Sequence, residues 1–455
     1  MKTTKLFFMA ALALMTAACS NSDNDILTPA EQPAKAGGIT ITAKLAPKSS
    51  AGTRALEPGK DGDNKDIIKA TWAVNEHLAI LYEKDGKQMA DATITAVDGT
   101  TGVATITFTV VEGTANNTDC QIIYPYSAAK GDKTGVKDNS TLLGAQNGTL
   151  NANLDVRVGA GTIQTSNPSL TVTTQPEAQF AIFKFTIQDL GGTAVNADEF
   201  VVSDNDGNVI TTVTPSSAAS ELYVVMPVLS AGSTYWFKTT SISGYYYKHY
   251  IAKKTIGASA TEAGKYYQST VKMATFGDVI LADGTFAVKG TAGERAIIAY
   301  VGEDAQPGYK HGLALALEAA NSGNKVAWCN RSDETCLSNQ YSDQGDAYAH
   351  DVDGIANTAA LVGHGSHTHA AAIAANSFTG ERPANTSQWF LPTVGQWNRI
   401  YADADGKDNL ISKTDMKSDG CWSSTEVDYE YAWDSYLDWE HFKDDELYVR
   451  ACLAF

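Results

Sequence analysis

The stretch "ELYVRACLAF" (residues 446–455) has the alternation of a half-buried β-strand. Every second residue from Leu447 to Phe455 is apolar, and this period of two places one set of side chains on one face of a sheet. Such a strand either completes the sheet of its own domain or pairs with the sheet of another subunit. The segments that precede this strand indicate which of these two pairings applies.

Residues 1–18 predict an export signal. Lys2 and Lys5 precede an apolar run that is too short to cross a bilayer, and small residues follow up to Cys19. A cysteine at this point resembles the lipidation site of a lipoprotein signal, and the alternative is an ordinary secretory signal in which Cys19 has no special role. Residues 19–37 are rich in Ala, Pro, Asn and Asp, which predicts a flexible tether.

The net charge and the hydropathy of the chain indicate whether it binds nucleic acid or spans a membrane. The formal net charge is −18, from 34 basic and 52 acidic residues, and so acidic a surface repels phosphate backbones. We therefore expect no nucleic-acid partner. No later stretch is apolar over the length of a membrane helix, so any attachment to a membrane would be through lipid.

Residues 38–273 consist of short β-type runs separated by Gly, Asn and Asp. The clearest are "ITITAKL" (39–45), "ATITFTV" (104–110), "CQIIYPY" (120–126), "AIFKFTI" (181–187) and "ELYVVMP" (221–227). Thr, Val, Ile and Tyr dominate these runs and no amphipathic helix interrupts them. The region therefore predicts a β-sandwich domain.

The composition changes near Ala274. Residues 275–455 contain six of the eight Trp and six of the eight His, and their 27 acidic and 12 basic residues give a formal charge of −15. Within them, "HGLALALEAANSG" (311–323) predicts a helix that ends at Gly. Thr393 and Gln396 predict a capping box at the start of a second helix in residues 392–406. A mostly β chain with an α+β domain over 274–455 is therefore expected.

The two halves resemble two known families. With the lipoprotein-like start, the segments "ITITAKLAPKSSAGTRAL", "TWAVNEHLAILYE", "IIYPYSAA" and "AGKYYQSTVKM" make residues 38–273 similar to the fimbrillin-like lipoproteins of type V pili. The segments "HGLALALEAA", "WFLPTVGQWNRI", "CWSSTE", "YAWDSYL" and "YVRACLAF" make residues 274–455 similar to sulfatase-modifying-factor and C-type-lectin-like domains.

The first resemblance implies a mode of assembly. Fimbrillins are held at the outer membrane by a lipid anchor before assembly, and a protease then cuts after an arginine near the end of the first strand. A strand from another pilus subunit fills the groove that remains, by β-strand addition. The matching bond here is Arg54–Ala55, which makes 38–54 the removable segment; the alternative is a solvated surface arginine.

The second resemblance bears on the terminal strand. In lectin-like domains the last strand pairs with its own sheet, so "YVRACLAF" would be used internally and would not be donated. A subunit that accepts a strand without donating one belongs at the tip of a pilus. The resemblance therefore implies a surface-exposed tip adhesin, with a free-standing glycan-binding surface lipoprotein as the alternative and a shaft subunit as the third reading.

Four cysteines lie in the second half. Cys329 and Cys336 are spaced as in a small disulfide-closed loop, and Cys421 with Cys452 would bridge neighbouring strands. Export to an oxidising surface permits both disulfides, although four cysteines allow three pairings.

Three closely spaced histidines suggest a metal site, but the residues around them favour a solvated loop. His364, His367 and His369 lie within "HGSHTH", and imidazoles at this spacing are able to ligate zinc or copper. The surrounding Gly, Ser and Ala favour a solvated polar loop. We therefore predict no firm metal site here.

Residues 426–446 combine nine carboxylates with Tyr and Trp against the single basic residue Lys443. Clustered carboxylates suit calcium, and flat aromatic faces suit sugar rings, so the segment predicts a surface for a carbohydrate or for a host or bacterial surface protein. The alternative is an acidic solvated surface whose aromatics lie in the core. The candidate ligand or calcium residues are Trp433, Asp438, Trp439, Glu440, Asp444 and Asp445.

No nucleophile-elbow, phosphate-loop or zinc-protease motif occurs, and the cysteines have structural spacings, so we predict that the chain is not an enzyme. Apart from calcium, no cofactor is expected.

Overall fold

The computed structural model describes residues 38–48, 57–60, 66–144, 146–150, 154–243, 246–330, 334–404, 407–416, 418–436 and 440–455. The predictions for Cys19, Arg54, Ala55, Asp438 and Trp439 lie outside these residues. The chain is 42% strand and 14% helix, which confirms the mostly β fold class. None of the helices in the described ranges combines the length and the apolar character needed to cross a membrane.

Seven of the first nine strands close into a barrel in the order β1-β6-β5-β4-β7-β8-β9, and β2 with β3 forms a separate ribbon. The bounds are β1 Ile39–Leu45, β2 Glu57–Lys60, β3 Asp66–Lys69, β4 His77–Glu83, β5 Lys87–Val97, β6 Ala104–Val110, β7 Thr118–Tyr124, β8 Arg157–Gln164 and β9 Ser169–Ala178, with helix α1 at Asn139–Leu143. Along the barrel strands β1, β6 and β8, buried side chains alternate with more exposed ones, as the period of two of a β-strand requires.

The next seven strands form an open sheet in the order β12-β11-β14-β15-β16-β10-β13. They are β10 Ala181–Asp189, β11 Glu199–Asp204, β12 Val209–Val213, β13 Glu221–Met226, β14 Thr234–Ser243, β15 Tyr246–Thr255 and β16 Tyr266–Thr275. Four phenylalanines, Phe183, Phe185, Phe200 and Phe237, meet in its core. All five β-type runs predicted from the sequence are strands, two of them with the predicted bounds.

The C-terminal part, called the head below, contains ten further strands and five helices in its described residues. The strands are β17 Val279–Leu281, β18 Phe286–Ala287, β19 Glu294–Val301, β20 Gly312–Ala316, β21 Val326–Ala327, β22 Trp422–Glu426, β23 Tyr431–Asp434, β24 Glu440–Phe442, β25 Glu446–Leu447 and β26 Cys452–Ala454. The helices are α2 Gln344–His350, α3 Gly354–Gly363, α4 Ala370–Asn376, α5 Val394–Ala404 and α6 Lys407–Thr414.

The helix predicted over 311–323 is wrong. Its first part is β20, which lies between β19 and β26 in a five-stranded sheet, and a short 3-10 turn follows at Asn321–Gly323. Every residue of β20 is buried. A strand covered on both faces is apolar at each position, so its sequence lacks the alternation that distinguishes a strand from a helix.

The capping box at α5 is confirmed. The backbone N–H of Gln396 donates to the Thr393 hydroxyl at 3.1 Å, and the Thr393 N–H donates to the Gln396 side-chain oxygen at 2.9 Å. The Gln396 amide nitrogen also donates to the carbonyls of Ala305 and Val352, at 2.8 and 2.9 Å. The Gln396 side chain therefore caps α5 and also hydrogen-bonds to the loops that contain Ala305 and Val352.

The open sheet and the head share a core. Trp236 of β14 stacks on His311 with ring centroids 3.6 Å apart, and Ala274, at the predicted domain boundary, is fully buried among head residues. Lys238 of β14 also donates to Glu303 at 2.6 Å. The head therefore packs directly on the sheet that precedes it.

Candidate functional site

The first candidate element is β1, which closes the barrel. It pairs antiparallel with β6 along its whole length, from Ile39 opposite Val110 to Leu45 opposite Ala104. On its other side it meets β9 at one position, Thr42 opposite Ser169. The strand is therefore held by backbone hydrogen bonds mainly along one edge.

Three side chains of β1 fill the barrel interior. Ile41 and Leu45 are fully buried and Ala43 is 7% exposed, whereas the intervening Thr42 and Lys44 face solvent. Burying Ile41 and Leu45 contributes about 1.5–3 kcal/mol each. Removal of β1 would leave a groove along β6 with two large apolar sockets.

The residues after β1 are tied down by a buried lysine. The Lys48 ammonium lies 3.1 Å from Asp155 and 3.8 Å from Glu76, and its side chain is 2% exposed. It also lies 3.6 Å from the ring centroid of Tyr124 and 4.4 Å from that of Trp72. These four residues, Trp72, Glu76, Tyr124 and Asp155, are called the lysine cage below.

The cage binds a cation by both charge and aromatic faces. Burial lowers the pKa of the Lys48 ammonium, and Asp155 and Glu76 act in the opposite direction. Trp72 donates its indole N–H to the Ala46 carbonyl at 2.8 Å, so the cage also holds the backbone that leads out of β1. An ammonium over desolvated aromatic rings gains about 2 kcal/mol or more.

The second candidate element is β26, whose two edges are both occupied. On one edge it pairs with β20, from Leu313 opposite Ala454 to Leu315 opposite Cys452. On the other edge, Phe390 and Cys452 exchange two backbone hydrogen bonds of 2.9 Å. The terminal strand predicted from the sequence is thus used inside its own domain, although only residues 452–454 are regular strand.

The third candidate element is the acidic–aromatic segment 426–446, and the structure changes its membership. Trp433 is 6% exposed, and its indole N–H donates to the Tyr341 carbonyl at 2.8 Å. Its ring packs with Val394 and Val427, so it lies in the core and does not offer a face to a ligand. The prediction of Trp433 as a surface ligand residue is corrected on this ground.

Two charged residues of the segment 426–446 are also buried inside the head. Glu426 and Lys443 are both fully buried and form an ion pair with each other. Glu426 also accepts the backbone N–H groups of Cys336 and Leu337, each at 2.8 Å. This pair braces the head and is not part of the solvated acidic surface.

The solvent-facing part of the segment contains the exposed Tyr429 and an aromatic pair with carboxylates around it. Tyr431 of β23 lies opposite Phe442 of β24, with ring centroids 4.5 Å apart. Phe442 is 47% exposed, and Glu440, Asp444 and Asp445 are exposed beside it in sequence. Phe442 was not among the residues predicted from the sequence, although its place in the alternation "EHF" puts it on the same face as Glu440.

The electrostatics of this face are negative. Partial burial raises the pKa of Tyr431, and the carboxylates of Glu430, Glu440 and Asp428 raise it further. A face with two rings and several carboxylates is suited to sugar hydroxyls or to a cationic protein patch.

Two of the three histidine side chains in the loop are largely buried, and His369 lies beside two of the cysteines, which corrects the prediction of a solvated polar loop. The five described cysteines carry no disulfide bonds. His369 is fully buried rather than solvated, and the side chain of His367 is only 4% exposed. In the described residues, the group of metal-ligand atoms that converges is Cys329, Cys336 and His369. The disulfides and the calcium site remain predictions.

Comparison with known proteins gives structural likenesses of low similarity. No family model matches the chain, and no curated protein matches it. A fimbrial protein from Bacteroides ovatus is 15% identical, with a TM-score of 0.28, over 92% of this chain and 99% of that one. A protein described as a candidate in cell adhesion, from Bacteroides uniformis, is 12% identical, with a TM-score of 0.29, over 52% of this chain and 97% of that one. Likenesses with TM-scores this low carry no conclusion about function.

Proposed function

We propose that this chain is the surface-exposed tip adhesin of a fimbria, anchored at the outer membrane by lipid on Cys19 before assembly. The observation that carries the proposal is that its last strand, β26, has partners on both edges. A strand in this position is not available to a neighbouring subunit. The strand β1 also meets one of its two neighbours at a single bridge, but it precedes the cleavage site proposed at Arg54, so cleavage would free it for exchange.

Cleavage after Arg54 would release residues 38–54 and open the barrel groove. The incoming strand of another subunit would then pair with β6 and place apolar side chains in the sockets of Ile41 and Leu45. Lys48 would leave with β1, and the lysine cage would be left with two carboxylates and two aromatic faces. We therefore expect the donor to carry a Lys or Arg shortly after its apolar alternation.

Peptide binding to the cleaved chain tests this proposal. The full chain is cut at Arg54, freed of the released segment and titrated with a peptide of residues 38–48 and with its Lys48→Met form. Binding of the first peptide is expected to be about 30-fold tighter, from the ~2 kcal/mol of a desolvated cation–aromatic contact. A Lys44→Met peptide is the matched control, since Lys44 faces solvent.

Two results would count against the proposal. If the cleaved chain binds neither the peptide nor purified shaft subunits, the free-standing surface lipoprotein is the better description. If deletion of residues 447–455 stops polymerisation while the head stays soluble, the last strand is donated and the chain is a shaft subunit.

The head would carry the adhesive surface, on Tyr431, Phe442 and the carboxylates beside them. Phe442→Ala should weaken binding to a responsive glycan or surface protein at least several-fold without unfolding the head, because its ring is 47% exposed. Tyr247→Ala is the control, since Tyr247 is 59% exposed but lies in the open sheet on β15. A Phe442→Ala chain that binds normally would place the ligand surface elsewhere.

A further inference from the structure

We propose that Cys329, Cys336 and His369 form a zinc site inside the head. Their ligand atoms, two sulfurs and one ring nitrogen, all lie within 4.8 Å of one another. With Zn–S near 2.3 Å and Zn–N near 2.0–2.1 Å, ligand atoms on one tetrahedral zinc lie about 3.3–3.8 Å apart. Metal binding would therefore require the three ligand atoms to close up by about 1 Å at most.

The imidazole of His369 is available to bind a ligand. It is fully buried, and neither of its ring nitrogens has a hydrogen-bond partner. Leaving a buried polar group unpaired costs about 1–3 kcal/mol, so such an arrangement calls for a ligand. The rings of Trp328 and His369 pack nearly perpendicular to each other with centroids 5.4 Å apart, and the Trp328 indole N–H donates to the Ser423 carbonyl at 2.8 Å.

The backbone around the three ligands is braced from several directions. Asn330, next to Cys329, donates its N–H to the Thr368 carbonyl and accepts the Thr368 N–H on its side chain, at 3.1 and 2.9 Å. These bonds join the segments that carry Cys329 and His369. The Cys336 N–H donates to Glu426 at 2.8 Å, which holds the third ligand in place.

The charges near the site permit a cation. The ammonium of Lys443 approaches the Trp328 ring to 5.2 Å, but its charge is balanced by the ion pair with Glu426. Zinc binding would release the two thiol protons to water, so that two thiolates neutralise the ion. His364 lies near this group, with its ring centroid 5.2 Å from that of His369 and its Nδ1 buried without a partner, and it would have to move closer to take a fourth position.

The same two sulfurs are the ones from which a disulfide was predicted, and the two outcomes exclude each other. A disulfide between Cys329 and Cys336 would leave both ring nitrogens of His369 unpaired. A zinc ion satisfies one of them and uses both sulfurs. The orphaned imidazole therefore favours the metal.

Metal titration of the full chain tests the site. The reduced, metal-free protein is titrated with Co²⁺ and then Zn²⁺ with oxygen excluded. One equivalent of Co²⁺ should bind with a thiolate-to-cobalt charge-transfer band, and Zn²⁺ should displace it and raise the melting temperature of the head. Cys336→Ser should halve the band and weaken zinc binding roughly 10-fold or more. Cys120→Ser, in the barrel strand β7, should change neither.

The proposal is overturned by any of three results. These are no stoichiometric uptake by the reduced chain, uptake that Cys336→Ser leaves unchanged in a folded protein, or a mass showing a Cys329–Cys336 disulfide in the chain as exported. Cys336 is half-buried, so its serine variant is expected to fold.

Discussion

Replacing Lys443 with Met should destabilise the head strongly. Lys443 and Glu426 are both fully buried, and the lysine also donates to the Glu334 carbonyl at 3.0 Å. Met keeps the apolar stem but leaves the Glu426 carboxylate without its counter-ion. Removing one partner of a buried ion pair costs about 3–5 kcal/mol, so we expect a loss of that size in the free energy of unfolding.

Denaturant unfolding of the full chain, followed by tryptophan fluorescence, measures this loss. Six of the eight Trp lie in residues 275–455, so the signal reports mainly on the head. Lys325→Met is the control, because Lys325 pairs with Asp419 at 3.1 Å with both side chains partly exposed. Such a pair contributes about 0–1 kcal/mol.

A second substitution checks the cause. Glu426→Gln in the Lys443→Met background removes the stranded charge, and the Gln oxygen is still able to accept the backbone N–H groups of Cys336 and Leu337. Most of the lost stability should return. Lys443 is not the essential counter-ion of Glu426 if Lys443→Met costs no more than the Lys325 control, or if the double variant is less stable than Lys443→Met alone.

Three further changes test other parts of the chain. Burial raises the pKa of Asp403 from 3.8 to about 7, so its stabilising contribution is full below pH 3.8 and is lost as the pH rises through 7. Asp403→Asn should remove up to about 4 kcal/mol of the change in the free energy of unfolding with pH. Unfolding midpoints measured from pH 4 to pH 8 test this, and a variant with the same pH dependence as the parent chain would contradict it. Leu45→Ala should cost about 2–5 kcal/mol and speed hydrogen exchange in β6, whereas Lys44→Ala should not. Thr393→Ala should cost about 1–2 kcal/mol in head stability, and an unaltered melting temperature would refute the cap.

Local patterns predicted the regular elements well where one face of an element is solvated. The bounds of β1 and β6 match the alternating runs at 39–45 and 104–110, because a one-sided strand shows its period in its residue types. The Thr393–Gln396 cap was equally predictable, since the two residues satisfy each other within one helical turn. The strand β20 was mistaken for a helix because burial on both faces removes that period.

The sequence by itself determined the mostly β class and the α5 cap, since these depend on spacing within a few residues. The internal pairing of the last strand was implied only by the resemblance to lectin-like domains. Only the tertiary structure decided that Glu426 and Trp433 are buried while Phe442 faces solvent. It also brought Cys336 against Glu426, ninety positions away, and both cysteines against His369. Burial and convergence of this kind arise from contacts between segments that are distant in sequence. The residue types near each position therefore do not predict them.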